Sequence, residues 1–533
     1  MATAGEFGVG TRALGFRTVK KDKGAFNYNR EVEVETSQVG YKDWFVRPIG
    51  GVSNKLGPFF FFTEAEMNYY LQLGATRLEC VFSVHRADGS RLQNLHDVVA
   101  PNNLLGGVMW ESVEPSINGQ PLSGASCVNA GMKHFIETML SCDQNARHTH
   151  MQLQLGHMDS PGEYDNMNLP MSVFRQQFRR LLELGQYPMP HIPPEAVTLP
   201  PGATKPDGTV YSELEREKEN ILRARRQKEI VDAYFYHEMG LDAERQQTLT
   251  LLQPELPTNL GFQTRCKIVA NSEKVTMMSP IPHDIFNMDN NLGAMNRLDL
   301  KLTMYPHRFL LNSFMRRNGY EIKLHDLKLH LRAIRLRETI KPPIRELYRM
   351  NETNLFKHVV PAGLTNYSFR LQHTGVLPKS IILATAATVA VEGHYQKNPF
   401  NFHHYFCKKI SLSINGEERP QNGLNFDFER TNQDLAYGYH WLFANTGALA
   451  GNRGNLVSLP HFSAGCFLVP FDLTPDRCNG AHTHNAELGY IDVNYTWAYP
   501  LPEPITILYE MTFNKVLLND KAGGTLTVLD VAA

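Results

Sequence analysis

Apolar and polar residues alternate with a period of two along most of this chain, and no other feature of the sequence limits its fold as strongly. The alternation covers residues 151–155, 298–304, 410–414, 491–497 and 505–513. Successive side chains of a β-strand point to opposite faces, so each range predicts a strand with one dry and one wet face. Half-buried strands of this kind are typical of antiparallel sheets packed face to face. We therefore predict an all-β chain built from sandwiches.

The range 322–336 alternates too, but its phase shifts between Leu324 and Leu327, which predicts one long strand with a bulge or a bend. The 31 prolines and 39 glycines fall mostly between the alternating ranges. Many short strands separated by turn residues favour sandwiches or barrels over a parallel α/β sheet.

Helical patterns are confined to one part of the chain. Ser212 and Glu215 form a capping-box pattern that opens a helix to about Met239, with Gly240 as the residue that ends it. A shorter helix is predicted over residues 172–184, and the proline-dense range 188–206 between the two predicts an extended or looping connection. We interpret the arginines of both helices as solvated surface rather than as a nucleic-acid patch, because glutamates interleave with them in the longer helix.

Composition excludes several classes of protein. A chain of 533 residues is too long for one ordinary core, so we expect at least two domains. A net charge of -1 argues against a surface that binds nucleic acid throughout. The seven cysteines form no CxxC pair and are expected to be reduced thiols. The first ten residues lack a signal-peptide core and the longest apolar stretch, 381–391, is too short to cross a bilayer, so we expect no membrane span.

Two segments look like copies of one unit. Ser116-Ile117-Asn118-Gly119-Gln120 recurs as Ser413-Ile414-Asn415-Gly416-Glu417, and each copy closes an apolar run and is followed by a proline. Asn-Gly after alternating residues predicts a tight turn, because both residues tolerate positive φ. Upstream lie 101–105 and 399–402, and downstream lie the aromatic-bearing segments 132–140 and 435–443, expected to be helical or looped. The sequence therefore predicts an internal duplication.

The two copies differ in length by about the helical, proline-rich stretch between Gly156 and Pro257. Removing that stretch makes the halves similar in size. We therefore predict an N-terminal arm at 1–38, a first sandwich at 39–345 with an insertion at about 156–257, and a compact second sandwich at 346–533.

The sequence resembles the hexon-like major capsid proteins of Polinton/Maverick elements and adintoviruses, and more distantly those of virophages and other double jelly-roll DNA viruses. The second half carries the resemblance at 398–402, 410–416, 439–443 with Gly447, 462–465, 471–476 and 504–513, in the order of that family. The first half carries it at 100–104, 113–119, 136–141, 299–311 and 320–336. The resemblance weakens between Gly156 and Pro257, where such capsid proteins vary, and before Gln38.

The resemblance implies two tandem eight-stranded jelly-roll β-sandwiches, a double jelly roll, with the helical, proline-rich loop insertion in the first. It also implies a homotrimer that forms a pseudo-hexameric capsomer and tiles an icosahedral shell around double-stranded DNA, with no active site. The implied partners are further copies of the chain together with penton and minor capsid proteins. The implied location is the virion capsid, after synthesis in the host cytoplasm and assembly in the nucleus or cytoplasm. The basic residues of the arm, between Arg12 and Arg30, are expected to lie on the inner face and to contact neighbours or, weakly, the genome.

Histidine pairs are the strongest pattern that could indicate an enzyme. His482 and His484 with Glu487 resemble a cupin metal motif, but the Glu comes too soon and Gly480 lies too close. His148 and His150 enter a predicted strand that carries glutamines rather than ligands, and His403 and His404 would point apart in an extended chain. No phosphate-binding, dinucleotide-binding or nucleophile-elbow motif is present. We predict no catalytic, cofactor-binding or metal residues; the alternatives are a tandem β-sandwich carbohydrate-binding protein and a cupin-type metalloenzyme.

Overall fold

The computed structural model describes most of the chain after the N-terminal 37 residues. The described residues are 38–52, 56–63, 68–92, 97–122, 124–167, 182, 190–238, 258–288, 290–313, 319–337, 344–373, 375–429, 435–449, 453–475, 477, 487–521 and 525–530. The arm predicted at 1–38 lies outside these residues except for Gln38, which begins a strand, and most of the helix predicted at 172–184 lies outside them too, as do Met239 and Gly240.

Twenty strands dominate the described chain, and they fall into two groups. The first group is β1 (Gln38–Val46), β2 (Phe59–Phe62), β3 (Tyr69–Leu71), β4 (Arg77–Arg86), β5 (Val99–Pro101), β6 (Trp110–Ile117), β7 (Gln120–Pro121), β8 (Val275–Ser279), β9 (Leu298–Met304), β10 (Leu311–Ser313) and β11 (Tyr320–Leu336). The second is β12 (Arg345–Val360), β13 (Asn366–Arg370), β14 (Ser380–Ala387), β15 (Cys407–Ile414), β16 (Glu417–Asn425), β17 (Leu468–Asp472), β18 (Ile491–Trp497), β19 (Ile505–Asp520) and β20 (Thr525–Asp530).

Both groups have the same sheet topology. In the first sandwich the sheets run β1-β11-β4-β8 and β2-β9-β6-β7, and in the second they run β12-β19-β14-β17 and β13-β18-β15-β16. If the eight strands in these two sheets of each sandwich are numbered from one to eight along the chain, both sandwiches have the orders 1-8-3-6 and 2-7-4-5. That arrangement is the eight-stranded jelly roll. The predicted duplication and the predicted fold class, a double jelly roll, are therefore confirmed. Of the remaining strands, β3 adds to β11, β20 adds to β19, and β5 pairs with β10.

The alternation predicted from the sequence sets which face of each strand is buried. In β18 the residues Ile491, Val493, Tyr495 and Trp497 are buried and the residues between them are partly exposed. The strand β15 also places Ile410, Leu412 and Ile414 in the core, with Ser413 partly exposed but Ser411 buried as well. In β19, however, every residue from Ile505 to Met511 is buried, so the predicted wet face is wrong for this strand. The reason is that other parts of the chain cover its outer face: Thr506 bonds Thr388 of the same sandwich, and Glu510 lies beside Glu137 and Lys133 of the first sandwich.

The two Asn-Gly pairs form equivalent turns between the fourth and fifth strands of each sandwich. Asn118 and Gly119 have φ of 53° and 77°, and Asn415 and Gly416 have φ of 51° and 90°. Two consecutive residues with positive φ are what a two-residue hairpin of type I′ requires. The predicted turns are confirmed in both copies.

The long strand β11 contains the irregularity predicted from its shift in phase. Its pairing with β4 moves by one residue between Leu324 and Asp326, which leaves His325 as the extra residue of a bulge. The same strand also pairs with β1 and β3, but those pairings begin at Leu329 and Ala333, so the bulge lies where β11 pairs with β4 alone.

Helices occupy the connections between strands. They are α1 (Leu105–Val108), α2 (Ala130–Ser141), α3 (Gln144–Arg147), α4 (Glu213–Glu238), α5 (Leu260–Ile268), α6 (His307–Leu310), α7 (Thr388–Glu392), α8 (Ala436–Asn445) and α9 (Leu459–Ser463). Both α2 and α8 lie between the fifth and sixth strands of their sandwich, so the predicted downstream segments of the duplication are helical in both copies. Short 3-10 helices span Leu73–Ala75, Ala125–Cys127, His150–Gln154, Pro194–Ala196, Ala270–Ser272 and Asp284–Asn287. None of the helices in the described ranges is both long and apolar enough to cross a membrane.

The insertion of the first sandwich confirms one predicted helix, and the residues just before it correct one predicted strand. The predicted capping box opens α4, since the backbone N–H of Ser212 donates to Glu215 at 3.1 Å. The strand predicted at 151–155 is wrong: this stretch is the 3-10 helix His150–Gln154. Leu153 is exposed, whereas Gln154 is buried against His134 at 3.2 Å, so a tertiary hydrogen bond overrides the local alternation. In the described part of 188–206 the chain has only one short 3-10 helix, in agreement with the predicted loop.

Candidate functional site at the junction of the two sandwiches

A buried ion pair of the first sandwich is hydrogen-bonded to the second sandwich. The Nζ atom of Lys133, on α2, lies 2.9 Å from Oδ2 of Asp284, and the two side chains are 1% and 6% exposed. Lys133 also donates to the carbonyl oxygen of Thr353, on β12, at 3.2 Å. The backbone N–H of Thr353 in turn donates to Asp284 at 2.8 Å. Two charges of the first sandwich are therefore satisfied by the backbone of one residue of the second, which fixes how the sandwiches pack.

Two further carboxyl groups lie beside this ion pair. Burial raises the pKa of Glu137, one helical turn after Lys133, to about 7. Burial and the neighbouring Glu137 raise the pKa of Glu510, on β19, well above its ordinary value. Burial opposes the charge of Lys133, but the carboxylates of Asp284 and Glu137 raise its pKa, so the ammonium remains charged. Glu510 is buried with Oε2 lacking a hydrogen-bond partner in the described structure. Burial at the junction therefore favours the protonated form of both carboxyl groups.

A cleft of about 830 Å³ opens above these groups. Acidic side chains of both sandwiches, Glu137, Asp284 and Glu510, contribute to its lining, and Lys379 and Lys515 of the second sandwich contribute positive charge. Across the described ranges, no three His, Cys, Asp or Glu side chains are grouped so that they could hold a metal ion. The arrangement can store and release protons at the junction.

A second buried polar cluster surrounds Glu346 at the start of β12. Its Oε2 accepts from Asn296 of the first sandwich at 3.0 Å, from Asn519 of the second at 3.0 Å and from Tyr348 at 2.7 Å. Lys521 lies 2.6 Å from its Oε1. A Cβ atom at Gly293 would lie 1.7 Å from Oε1 of Glu346, so only glycine permits this approach. The carboxylate is 6% exposed and accepts hydrogen bonds from both sandwiches, so this polar cluster fixes their relative orientation at a second point.

A third buried polar cluster connects the insertion to the second sandwich. Arg265, on α5, pairs with Asp159 at 2.6 Å, and both side chains are almost fully buried. Asn398, which precedes β15, donates to the other carboxylate oxygen of Asp159 at 3.2 Å. His461, on α9, contacts the carbonyl oxygen of Asp159 at 3.1 Å. The base of the insertion is thereby held by residues of both halves.

Aromatic rings fill the junction between these three polar clusters. Phe135, on α2, stacks on Phe400 of the second sandwich with ring centroids 4.3 Å apart. Phe309, on α6, meets the same ring edge to face at 5.9 Å. All three rings are buried in one continuous core. Apolar packing and charge pairing therefore act together, and the junction is built like a domain interior.

Large apolar side chains are also exposed on the outer strands. Tyr41 and Phe45 lie on β1, which pairs only with β11 in the described structure, and Phe60 and Phe62 lie on β2. Arg332 lies over the Tyr41 ring at 4.6 Å, and Arg297 lies over the Phe62 ring at 5.0 Å. Exposed aromatic rings on sheet faces and an open strand edge are typical of surfaces that contact another chain.

The histidines considered from the sequence do not converge. His148 and His150 are exposed; His148 directly follows α3 and His150 begins the 3-10 helix, so neither lies in a strand. His403 and His404 are not in an extended chain, the condition under which they would point apart, and their rings stack with centroids 4.6 Å apart. His482 and His484 lie outside the described residues. Six of the seven cysteines are described, and all six are free thiols.

The junction was not predicted from the sequence, although one signal was present. Lys133 and Glu137 interrupt an otherwise apolar helix at a spacing of four residues, on the side that is buried. A charge pair inside an apolar helix indicates buried partners elsewhere in the chain. Those partners, Asp284 and Glu510, come from distant strands and connections, and nothing in their local sequence marks them.

The fold defines the structural class of the protein: two jelly rolls in tandem, a double jelly roll. The chain is similar to a chain in the 3.5 Å cryo-EM structure of the Sputnik virophage, with a TM-score of 0.53 and 10% identity, over 98% of this chain and 94% of that one. It is also similar to the mavirus major capsid protein, with a TM-score of 0.45 and 10% identity, over 100% of this chain and 97% of that one. The likeness to the Sputnik chain establishes the fold over nearly the whole length.

A sequence relative comes from an animal. The uncharacterized protein F54H12.2 of Caenorhabditis elegans is 22% identical over 232 residues, which are 41% of this chain and 54% of that protein. The chain thus spans about half the length of this curated relative. No protein-family model matches the chain.

Proposed function

We propose that this protein is the structural major capsid protein of a double-stranded DNA virus or viral element, with no catalytic activity of its own. The observation that carries the proposal is that two jelly rolls with identical strand order are fused in one chain. Three such chains related by a threefold axis present six similar sandwiches, and a near-hexagonal trimer can tile a curved shell.

The three buried polar clusters at the junction support this role. A tile must keep the angle between its two sandwiches constant, because small changes in that angle would accumulate across a shell. Lys133 with Asp284, Glu346 with its donors, and Arg265 with Asp159 provide buried polar contacts at three separate points. Buried charges that are paired and hydrogen-bonded allow only one arrangement of the groups around them.

The trimer contacts would come from the exposed apolar strands. Obligate interfaces bury on the order of 2,000 Å² or more and are rich in aromatic residues. Tyr41, Phe45, Phe60 and Phe62 lie on the outer strands β1 and β2 of the first sandwich and offer such residues. We propose that a neighbouring subunit covers this surface in the capsomer.

The test is the mass and shape of the purified full-length protein. Light scattering should give three times the 60.5 kDa mass of one chain, and electron microscopy should show hexagonal tiles or closed shells. A variant with Tyr41→Ser and Phe45→Ser should remain monomeric. A control variant with Leu214→Ser, on the exposed helix α4, should assemble like the wild type. A wild-type monomer with stoichiometric transition metal would instead support the cupin-type enzyme.

The finer assignments are part of the same proposal. We propose the limits 1–38 for the arm, 39–345 for the first jelly roll and 346–533 for the second, with the chain belonging to the Polinton and adintovirus lineage that its signatures resemble. Penton and minor capsid proteins would be its partners in the virion, and assembly would follow synthesis in the host cytoplasm. The basic arm would lie on the inner face, where it contacts neighbouring capsomers or the genome. Deletion of 1–38 should lower particle yield or DNA content, and unchanged values of both would contradict the role of the arm.

A further inference from the structure

A pocket of about 470 Å³ lies at one end of the second sandwich, away from the acidic cleft. Its walls come from the connection between β14 and β15, from the connection between β18 and β19, and from Asp165 in the insertion of the first sandwich. Nothing in the assembly proposed above requires this pocket. Its volume lies within the range of small-molecule sites, and such sites combine apolar walls with a few directed polar groups.

Backbone geometry that L residues rarely adopt builds the aromatic wall of this pocket. Tyr405 and Phe406 have φ of 47° and 53°, so two consecutive aromatic residues are in the left-handed region. The N–H of Tyr405 donates to Nδ1 of His403 at 2.9 Å, and the N–H of Phe406 donates to Nδ1 of His404 at 2.9 Å. These hydrogen bonds hold the turn. Residues kept in such conformations cluster at ligand clamps.

The aromatic wall is accessible. Tyr499, from the opposite connection, is 51% exposed, and Phe406 is 41% exposed. Their rings meet edge to face with centroids 5.5 Å apart, so they form an angled platform rather than a closed stack. Pro500 and Pro502 extend the apolar surface on the same side. A ligand with flat C–H faces can pack on such a platform.

The rest of the pocket is lined by both hydrogen-bond donors and hydrogen-bond acceptors. Asp165 accepts from the backbone N–H of Asn398 at 2.6 Å and from the side chain of Asn401 at 2.8 Å, and Tyr405 donates to Glu503 at 3.3 Å. Lys397 lies 3.9 Å from Asp165 and 4.0 Å from Glu503, too far for a hydrogen bond, so its ammonium retains donors for a ligand. Burial lowers the pKa of His403; the neutral ring, with Nδ1 as acceptor, carries its proton on Nε2.

Charge decides which class of ligand fits. Two carboxylates disfavour an anion, and the ammonium of Lys397, which already lies between them, disfavours a second cation. A neutral compound whose hydroxyl groups both donate and accept would match this mixture of donors and acceptors, and its apolar faces would match the rings. We propose that the pocket formed by Tyr405, Phe406, Tyr499, Lys397, Asp165 and Glu503 binds a neutral saccharide, as a glycan-recognition site on a structural protein.

The test uses full-length protein and four neutral probes: the methyl pyranosides of glucose, galactose, mannose and N-acetylglucosamine. Saturation-transfer NMR should detect at least one of them at about 10 mM, because single sugars on exposed sites bind with weak, millimolar constants. Tyr499→Ala should weaken that binding about tenfold, equivalent to 1.4 kcal/mol. Tyr490→Ala is the matched control, since this tyrosine is also exposed but lies outside the pocket, and it should bind like the wild type.

Glu503→Gln provides a second variant that keeps the shape of the pocket and should also weaken binding. Circular dichroism confirms that each variant is folded. The absence of binding by all four sugars would overturn the proposal, and so would equal losses in Tyr499→Ala and Tyr490→Ala. Stronger binding of N-acetylneuraminic acid or of arginine methyl ester than of the neutral sugars would also overturn it. Trimer formation is measured separately, so failure here leaves the proposed capsid role intact.

Discussion

The Nζ atom of Lys133 lies 2.9 Å from Oδ2 of Asp284, and a single residue of the second sandwich, Thr353, is hydrogen-bonded to both side chains. Both charged side chains belong to the first sandwich, whereas the carbonyl and N–H groups that complete their hydrogen bonding belong to β12. Separation of the sandwiches would therefore leave two buried charges only partly satisfied. The junction acts as one cooperative unit with the two cores.

Removal of one partner should show this dependence. Lys133→Met leaves Asp284 buried without its counter-charge and should lower the free energy of unfolding by about 3–5 kcal/mol. The measurement is urea denaturation followed by tryptophan fluorescence. Lys301→Met is the matched control, because Lys301 pairs with Glu114 at the same distance of 2.9 Å but with 38% and 39% exposure. The control should lose about 0–1 kcal/mol, and equal losses in the two variants would contradict the prediction.

The carboxyl groups of Glu137 and Glu510 should make stability depend on pH. Their pKa values are raised in the folded protein by burial, that of Glu137 to about 7, so the folded state binds protons that the unfolded state releases. This contribution is fully present below the ordinary glutamate pKa, near 4.3, and is lost as the pH rises through about 7. The free energy of unfolding should fall over this window, by on the order of 3 kcal/mol for Glu137.

A double variant, Glu137→Gln with Glu510→Gln, tests the assignment of this pH dependence. Glutamine stays neutral, so the variant should match the wild type near pH 5 and exceed it in stability near pH 8. Glu417→Gln, on the exposed start of β16, is the control and should follow the wild-type curve. A double variant that loses stability with pH as steeply as the wild type would show that other groups titrate.

The buried thiols should be unreactive in the native protein. Burial raises the pKa of Cys127 and of Cys266 to about 11, and raises the pKa values of Cys80, Cys407 and Cys466 further. Only the thiolate attacks a disulfide reagent, so these five should react with Ellman's reagent at pH 8 only as fast as the protein opens. All seven cysteines should react at once in guanidinium chloride. Rapid native labelling of Cys80 or Cys407, located by mass spectrometry, would contradict the burial of these strands.

Much of the fold was predictable because its determinants are local. The alternation in β18 and β15 follows from one buried face, the Asn-Gly turns follow from positive φ, and the helix α4 follows from its capping box. These features depend on neighbours within a few residues. The internal duplication was visible for the same reason, since equivalent turns in the two copies require the same pair of residues.

The errors arose where distant parts of the chain override local patterns. The range 151–155 alternates like a strand but forms a 3-10 helix, in which His134 binds Gln154. The polar residues Thr506 and Glu510 of β19 are buried by distant parts of the chain: Thr506 bonds Thr388 of the same sandwich, and Glu510 lies beside Glu137 and Lys133 of the other sandwich. His403 and His404 stack because each binds the N–H group two residues ahead, which no alternation predicts. The candidate sites consist of such long-range contacts, so the sequence alone did not locate them.

The duplicated turns allow a prediction about both sandwiches at once. Gly119 and Gly416 have φ of 77° and 90°, and a Cβ atom added at either would meet no atom closer than 3.8 Å. Substitution by alanine therefore tests backbone strain alone, and Gly119→Ala and Gly416→Ala should each lower the free energy of unfolding by about 1 kcal/mol. Gly454→Ala is the matched control, because that glycine also faces open space but lacks a positive φ, and its substitution should cost nothing measurable. Unequal losses at Gly119 and Gly416 in chemical denaturation would show that the two hairpins, although equal in backbone geometry, are not equally part of the cooperative structure.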